Sequence, residues 1–506
     1  MAKNSEEPKF SLRLIVDEER NKVVLAEACR DFVDVLFSLL TLPMGTIVRL
    51  LENHRNSEPI TVGCFNNLYK SVVDMGSDSF ETEACKQMLL YPMSVRDVQS
   101  KRLKVNINPT ESIKCFKCPS YCELYSNFNT SRCRCGNLMS KEIELEKKEQ
   151  VAGWSQSDAN GVFVSGRCSF ILTDDLKVAV KSTELVLEKL KSVGCADVNK
   201  LGERLLVIGL EEVLTLLEYI FSSNAPLTDT FLNKQSPQGV TKICKSLSPC
   251  LEKKGEEAEP GKVVTLKAIV RKQDDIEILF VECGEEFVEL LFSFLVVPLE
   301  SVWEISGSSI SLGCIGNLCR SFKELTANEG TELSNSICTL PSFYSFQMQL
   351  PGITTQQPPV YYRYRLYDNQ IRYGLTTNGN RTPNYRKDRI VRADLMDAKS
   401  PGSDKSTQCY GFLKKETKFT VLDDLTITSM NSCSTISLLK KLQSHADDLE
   451  VKEISISNAD ALNLLRASLV TSSALSTAFW SLFAEKVKEE TDLGDSVSKK
   501  VKEEET

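Results

Sequence analysis

Five of the 18 cysteines fall within 21 residues, as Cys115-Phe-Lys-Cys118-Pro-Ser-Tyr-Cys122 and then Cys133-Arg-Cys135-Gly136. With Cys122 set aside, the spacing is C-x2-C, 14 residues, C-x-C. Two thiolates three residues apart can reach one ion across a tight turn, and a second pair arriving on a hairpin completes a tetrahedron. Gly136 gives the second turn the backbone freedom it needs. The pattern predicts a zinc-ribbon-like hairpin with Cys115, Cys118, Cys133 and Cys135 as metal ligands and Cys122 as the alternative ligand. Four thiolates leave no open coordination position, so the zinc is expected to be structural and not catalytic.

Other residues argue against an enzyme. The chain has 2 histidines, His54 and His445, at non-equivalent places. No G-x4-G-K-[ST], G-x-G-x2-G, G-x-S-x-G or H-E-x2-H motif is present. Asp174-Asp175 and Asp423-Asp424 suggest paired carboxylates, but neighbours on a strand face opposite ways, and a turn would turn them toward backbone N–H groups instead. Gly63-Cys64 and Gly313-Cys314 lack a nearby histidine to activate the thiol, which favours tight packing over reactivity. Near the end, Val487-Lys488-Glu-Glu and Val501-Lys502-Glu-Glu resemble acceptor sequences for small ubiquitin-like modifiers, with Lys488 and Lys502 as the modification sites.

Charge gives a second reading. Residues 101–141 hold 8 basic and 2 acidic side chains, and so do residues 361–392, although the whole chain carries −8. Each segment is therefore +6 and the remainder −20. Tyrosines alternate with arginines in Tyr361-Tyr-Arg-Tyr-Arg-Leu-Tyr367, a pairing that can stack bases and hold phosphates. Nucleic acid or another polyanion is the alternative partner on this ground.

The elements that must position these residues occur twice. Phe32-Val-Asp-Val-Leu-Phe-Ser-Leu-Leu-Thr-Leu-Pro43 returns as Phe287-Val-Glu-Leu-Leu-Phe-Ser-Phe-Leu-Val-Val-Pro298 with 7 of 12 residues identical. Gly63-Cys-Phe-Asn-Asn-Leu-Tyr-Lys-Ser71 returns as Gly313-Cys-Ile-Gly-Asn-Leu-Cys-Arg-Ser321, and Leu172-Thr-Asp-Asp-Leu176 as Val421-Leu-Asp-Asp-Leu425. A period near 250 residues marks a tandem pair of large units and not a solenoid. In each copy a predicted hairpin (12–27; 264–282) precedes a helix whose apolar positions follow i, i+3, i+4, i+7. Carboxylates (Glu27 and Asp31; Glu285 and Glu286) sit near the start of that helix, and Pro43 or Pro298 stops it. Later strands are expected at 170–172, 178–180 and 204–208, and at 419–422, 425–427 and 451–456, each set followed by an amphipathic helix. Asn458 is the expected cap of the last of these.

These paired motifs resemble a land-plant family known only as domain of unknown function 674, over about residues 11–232 and again 266–480. The resemblance implies no reaction or substrate. It does imply a cysteine-bearing segment at the place described above.

The resulting expectation is an α+β fold of two tandem homologous halves. The first spans 9–242 with the zinc-ribbon-like insertion at 112–140, and a linker follows at 243–262. The second spans 263–484 with a cysteine-free equivalent insertion at 360–392, where tyrosines pack in place of zinc, and a charged, disordered tail covers 485–506. No apolar run is long enough to span a bilayer and residues 1–8 do not read as a signal peptide, so a soluble cytoplasmic protein that also enters the nucleus, with reduced thiols and no membrane contact, is expected. The leading function is a non-enzymatic protein-interaction or scaffold module with one structural zinc and an unidentified protein partner. The alternatives are polyanion binding through the basic Tyr/Arg hairpins and an enzyme with a cleft between the halves.

Overall fold

Strict alternation along Phe10–Asp17 buries Phe10, Leu12, Leu14 and Val16 while Ser11 and Arg13 face out, as a half-covered strand requires. The chain is represented by a computed structural model that describes residues 9–54, 61–109, 114–120, 122–145, 161–166, 168–192, 194, 198–233, 264–271, 277–307, 314–327, 338–346, 348–367, 371–377, 390–401, 411–430, 432–441 and 446–483. Among these, the fold is mixed α+β. Residues 485–506, with Lys488 and Lys502, lie outside the described residues, as do the 243–262 segment and His445.

Two five-stranded antiparallel sheets share one strand order. The first runs Val178–Val180, Phe170–Thr173, Lys22–Ala28, Phe10–Asp17, Leu201–Ile208. The second runs Ile427–Ser429, Lys418–Leu422, Glu277–Gly284, Val264–Arg271, Leu449–Ile456. The hairpin Thr173 to Lys177 turns through Leu176 at φ 60°, and its counterpart through Leu425 at φ 62°. Leu425 is therefore a buried turn residue, not the first residue of a strand as its apolar character suggested. Ser457, not Asn458, caps helix Asn458–Val470, accepting from Asp460 N while the Asp460 carboxylate accepts from Ser457 N. Glu27 lies within strand Lys22–Ala28, which leaves Asp31 alone in the first turn of helix Arg30–Leu40.

Helices Arg30–Leu40 and Glu285–Val296 both bury their apolar faces in one continuous core. Met44 N donates to Val297 O, and Leu299 N donates to Leu42 O, each at 3.0 Å, beside the Pro43 and Pro298 bridge. Burying a large apolar side chain is worth about 1.5–3 kcal/mol. The core holds Phe32, Phe37, Phe287, Phe292 and Phe294 at 1% exposure or less.

The repeated motifs bind across the two sheets. Helix Phe65–Asp74 docks on the second sheet: Cys64 N donates to Ser468 O at 2.7 Å, Asn67 Nδ2 to Asp424 O at 2.9 Å, and Ile427 N to Ser71 Oγ at 2.9 Å. Helix Cys314–Ala327 docks reciprocally on the first, where Asn317 Nδ2 donates to Asp175 O at 2.9 Å and Val178 N to Ser321 Oγ at 2.9 Å. The Gly-Cys-x2-Asn-Leu-x2-Ser sequence of one copy thus reads the Asp-Asp-Leu turn of the other.

Carboxylates complete the frame. Asp174 accepts from Thr228 N (2.9 Å) and Thr228 Oγ1 (2.7 Å), and Asp423 accepts from Ser476 N (2.8 Å) and Ser476 Oγ (3.0 Å). These aspartates hold backbone and hydroxyl donors, as the turn reading required. Asp34, in helix Arg30–Leu40, accepts from Val162, Phe163 and Val164 N at 2.8, 2.8 and 3.0 Å. Glu289, at the equivalent place, accepts from Phe412 N at 2.6 Å and Leu413 N at 3.1 Å.

Candidate metal centre

The cysteine segment and the tyrosine segment form one closed barrel and not two separate hairpins. Its order is Tyr361–Tyr367, Ile371–Thr376, Lys141–Leu145, Cys115–Lys117, Leu124–Ser126, Val391–Leu395. Pairing is antiparallel within residues 115–145 and within 361–395. The two seams between those segments are parallel: Ile371–Thr376 with Lys141–Leu145, and Val391–Leu395 with Leu124–Ser126. Inside, Tyr125 meets Tyr361 edge-to-face at 5.2 Å and donates its hydroxyl to Pro359 O at 3.1 Å.

Strand alternation separates the cysteines. Cys115 points into the barrel against Tyr125, Ile143, Leu375 and Ala393, and burial pushes its thiol up to about 12. Cys118, just past the strand end, and Cys122, before the next strand, come together outside that interior. The second knuckle is a tight hairpin: Gly136 N donates to Cys133 O and Cys133 N to Asn137 O, both at 2.8 Å, with Gly136 at φ 88°. Sulfurs of Cys118, Cys122, Cys133 and Cys135 all lie within 4.8 Å of one another. The structure therefore brings in Cys122, the alternative ligand of the sequence reading, and leaves Cys115 apart. A C-x2-C count made Cys115 the natural partner of Cys118, but the inward side of a strand excludes it; the spacing that converges is C-x3-C, ten residues, C-x-C.

The dimensions fit a tetrahedral thiolate ion. With Zn–S near 2.3 Å, sulfurs stand about 3.8 Å apart, and Cys118 Sγ lies 3.4 Å from Cys135 Sγ. Ser120 N donates to Cys118 Sγ at 3.3 Å, and Asn137 Nδ2 to Cys135 Sγ at 3.5 Å, donors suited to anionic sulfur. The Asn137 backbone N–H and the Cys118 thiol lower the Cys135 thiol to about 6. Burial, then the shared protons of Cys133 and Cys135, raise Cys122 to about 12. Charge on Cys135 thus makes further ionisation costly unless a cation joins the group. Cys118 and Cys133 are fully buried, whereas Cys135 is exposed at the rim.

The basic residues gather on the same barrel. Lys117 and Lys141 are direct cross-strand partners, and Arg363 Nη1 donates to Cys122 O at 2.8 Å. Arg392 pairs with Asp394 at 3.2 Å.

The other candidates take structural places. Cys64 and Cys314 are buried, and burial lifts both thiols to about 12, far from a reactive thiolate. His54 joins two helices, with Nε2 3.2 Å from Thr215 Oγ1 and Nδ1 3.4 Å from Glu211 Oε2. Asp34 and Glu289 escaped the sequence reading. Their signal was a carboxylate retained among apolar neighbours in both copies of the most similar stretch.

Among known proteins, the family model described as "Protein of unknown function (DUF674)" matches residues 6–459. No curated protein and no solved structure matches the chain.

Proposed function

Because the chain belongs to the DUF674 family, whose description supplies no reaction, we propose from its geometry that it is a non-enzymatic interaction module stapled by one structural zinc. The observation that carries the reading is the convergence of four sulfurs within 4.8 Å. Cys118, Cys122, Cys133 and Cys135 are the ligands, and a closed thiolate set gives the ion a folding role. The shared strand order of the two sheets and the reciprocal docking of the repeated motifs support a tandem duplication, with the cysteine knuckles added to one copy. Two equivalent exposed faces would then serve protein partners in the cytoplasm. No helix among the described residues is long and apolar enough to cross a membrane.

Freshly purified, reduced protein is expected to carry about one zinc per chain, the stoichiometry of a tetrathiolate site. The Cys133→Ser/Cys135→Ser variant is expected to carry none, and metal analysis finding no zinc or iron in the wild type would end the metal reading. Comparing partners captured from plant tissue by the two proteins then tests the interaction role.

A second reading, binding of RNA or DNA, is favoured by the assembly of strands from both +6 segments into one barrel. It predicts filter-binding affinity that falls steeply with salt, as phosphate contacts release counterions; salt-insensitive or absent binding removes it.

A further inference from the structure

We propose that the tyrosine segment supplies the outer sphere of the four-cysteine centre, with Arg363 as a positioning residue and Met396 as an apolar cover, so that metal retention depends on the closed barrel. This rests on the reading of the cysteines as a metal centre.

Arg363 reaches across 241 residues of sequence to donate from Nη1 to the Cys122 carbonyl at 2.8 Å. Cys122 lies in the short connection between strands Cys115–Lys117 and Leu124–Ser126, so its backbone needs an external anchor to present the sulfur. A guanidinium also suits the charge of the site. Four thiolates around a divalent cation leave −2, and half-burying that charge is costly without nearby cations and N–H donors. Lys117, one residue before Cys118, stands directly opposite Lys141, a like-charge pair that destabilises a bare sheet. An adjacent anionic centre offsets that repulsion.

Met396 provides the second, independent observation. It is 6% exposed and packs with Cys118, Cys133 and Met139 in one apolar cluster. Its backbone N donates to Tyr125 O at 2.7 Å, directly after the parallel seam between Val391–Leu395 and Leu124–Ser126. The strand that closes the barrel therefore also carries the side chain that keeps water from two of the sulfurs. All four ligands come from residues 118–135, and Arg363 and Met396 from the other segment join Ser120, Asn137 and Met139 in holding and covering them.

The test uses the full-length chain and measures zinc affinity by competition with a chromogenic chelator, with cobalt spectra to count thiolates. Removing outer-sphere partners of a metal site weakens binding roughly 10–100-fold. Arg363→Met is expected to fall in that range while cobalt still reports four thiolates, and Arg363→Lys, which keeps the charge and one donor, should recover most of the affinity. If Arg363→Met proves unfolded by circular dichroism, Met396→Ala carries the test, with several-fold faster zinc release to chelator expected. Wild-type zinc binding with unchanged affinity in Arg363→Met, equal losses in the Met and Lys variants, or unchanged release from Met396→Ala would each overturn the proposal and leave the metal site standing. A wild type that binds neither zinc nor cobalt overturns both.

Discussion

Alanine at Gly63 should destabilise the chain by about 3–5 kcal/mol, a large share of the 5–15 kcal/mol typical of folded proteins. Gly63 has φ 50°, and a Cβ built there would stand 2.1 Å from Ser468 O and 2.8 Å from Leu469 O. Both are backbone atoms at the end of helix Asn458–Val470, so no side-chain rotation relieves the overlap. Relief would require withdrawing helix Phe65–Asp74, which breaks the Cys64 N to Ser468 O bond and unseats Asn67 from Asp424 O. Gly194→Ala is the control. Gly194 also has positive φ, at 70°, but open space surrounds it, so only the backbone penalty of about 1–2 kcal/mol applies. Denaturant midpoints of the two variants and the wild type measure the difference, and equal losses at the two positions would show that the close docking is not needed.

The second large effect is expected at Asp34 and Glu289. Asp34→Ala strands the buried N–H groups of Phe163 and Val164 and the half-buried one of Val162, and Glu289→Ala strands those of Phe412 and Leu413. Each unpaired buried donor costs about 1–3 kcal/mol, so a loss near 3 kcal/mol or more is expected from either variant. Gly161 and Gly411 show how close the captured loops come, since a Cβ there would stand 2.6 Å and 2.0 Å from the respective carboxylate oxygens. Asp34 adds a pH signature. Burial outweighs its three N–H donors and Arg30 and holds its carboxyl above the usual range. A raised folded pKa stabilises fully below the unfolded value and loses that contribution as pH rises through the folded one. The gap between wild type and Asp34→Ala should therefore narrow as pH climbs out of the carboxylate range. A gap that widens instead would mean that the N–H donors dominate.

The hairpins and first helices were legible because period 2 and period 3.6 run for eight or more residues in each. The barrel was not, since Cys115–Lys117 and Leu124–Ser126 have three residues each, too few for a period to register. Spacing located the cysteine knuckles but drew Cys115 into the cluster in place of Cys122, because counting residues ignores which side of a strand a thiol occupies. Repetition picked out Gly63, Asn67, Ser71 and the Asp-Asp-Leu turns as architectural. It could not show that each copy of the motif serves the opposite copy of the turn, because similarity pairs equivalent residues and carries no record of contact.

That exchange sets a schedule for synthesis. Helix Phe65–Asp74 finds its seat only when residues 423–471 have been made. At about 5–20 residues per second, the wait for those residues is roughly 20–80 s. Through that interval Cys64, Asn67 and Ser71 wait without their native partners Ser468, Asp424 and Ile427. A nascent chain halted between the two sheets would leave the same contacts unmade, so release of the finished polypeptide, and not of either portion, is the step at which the two sheets are locked together.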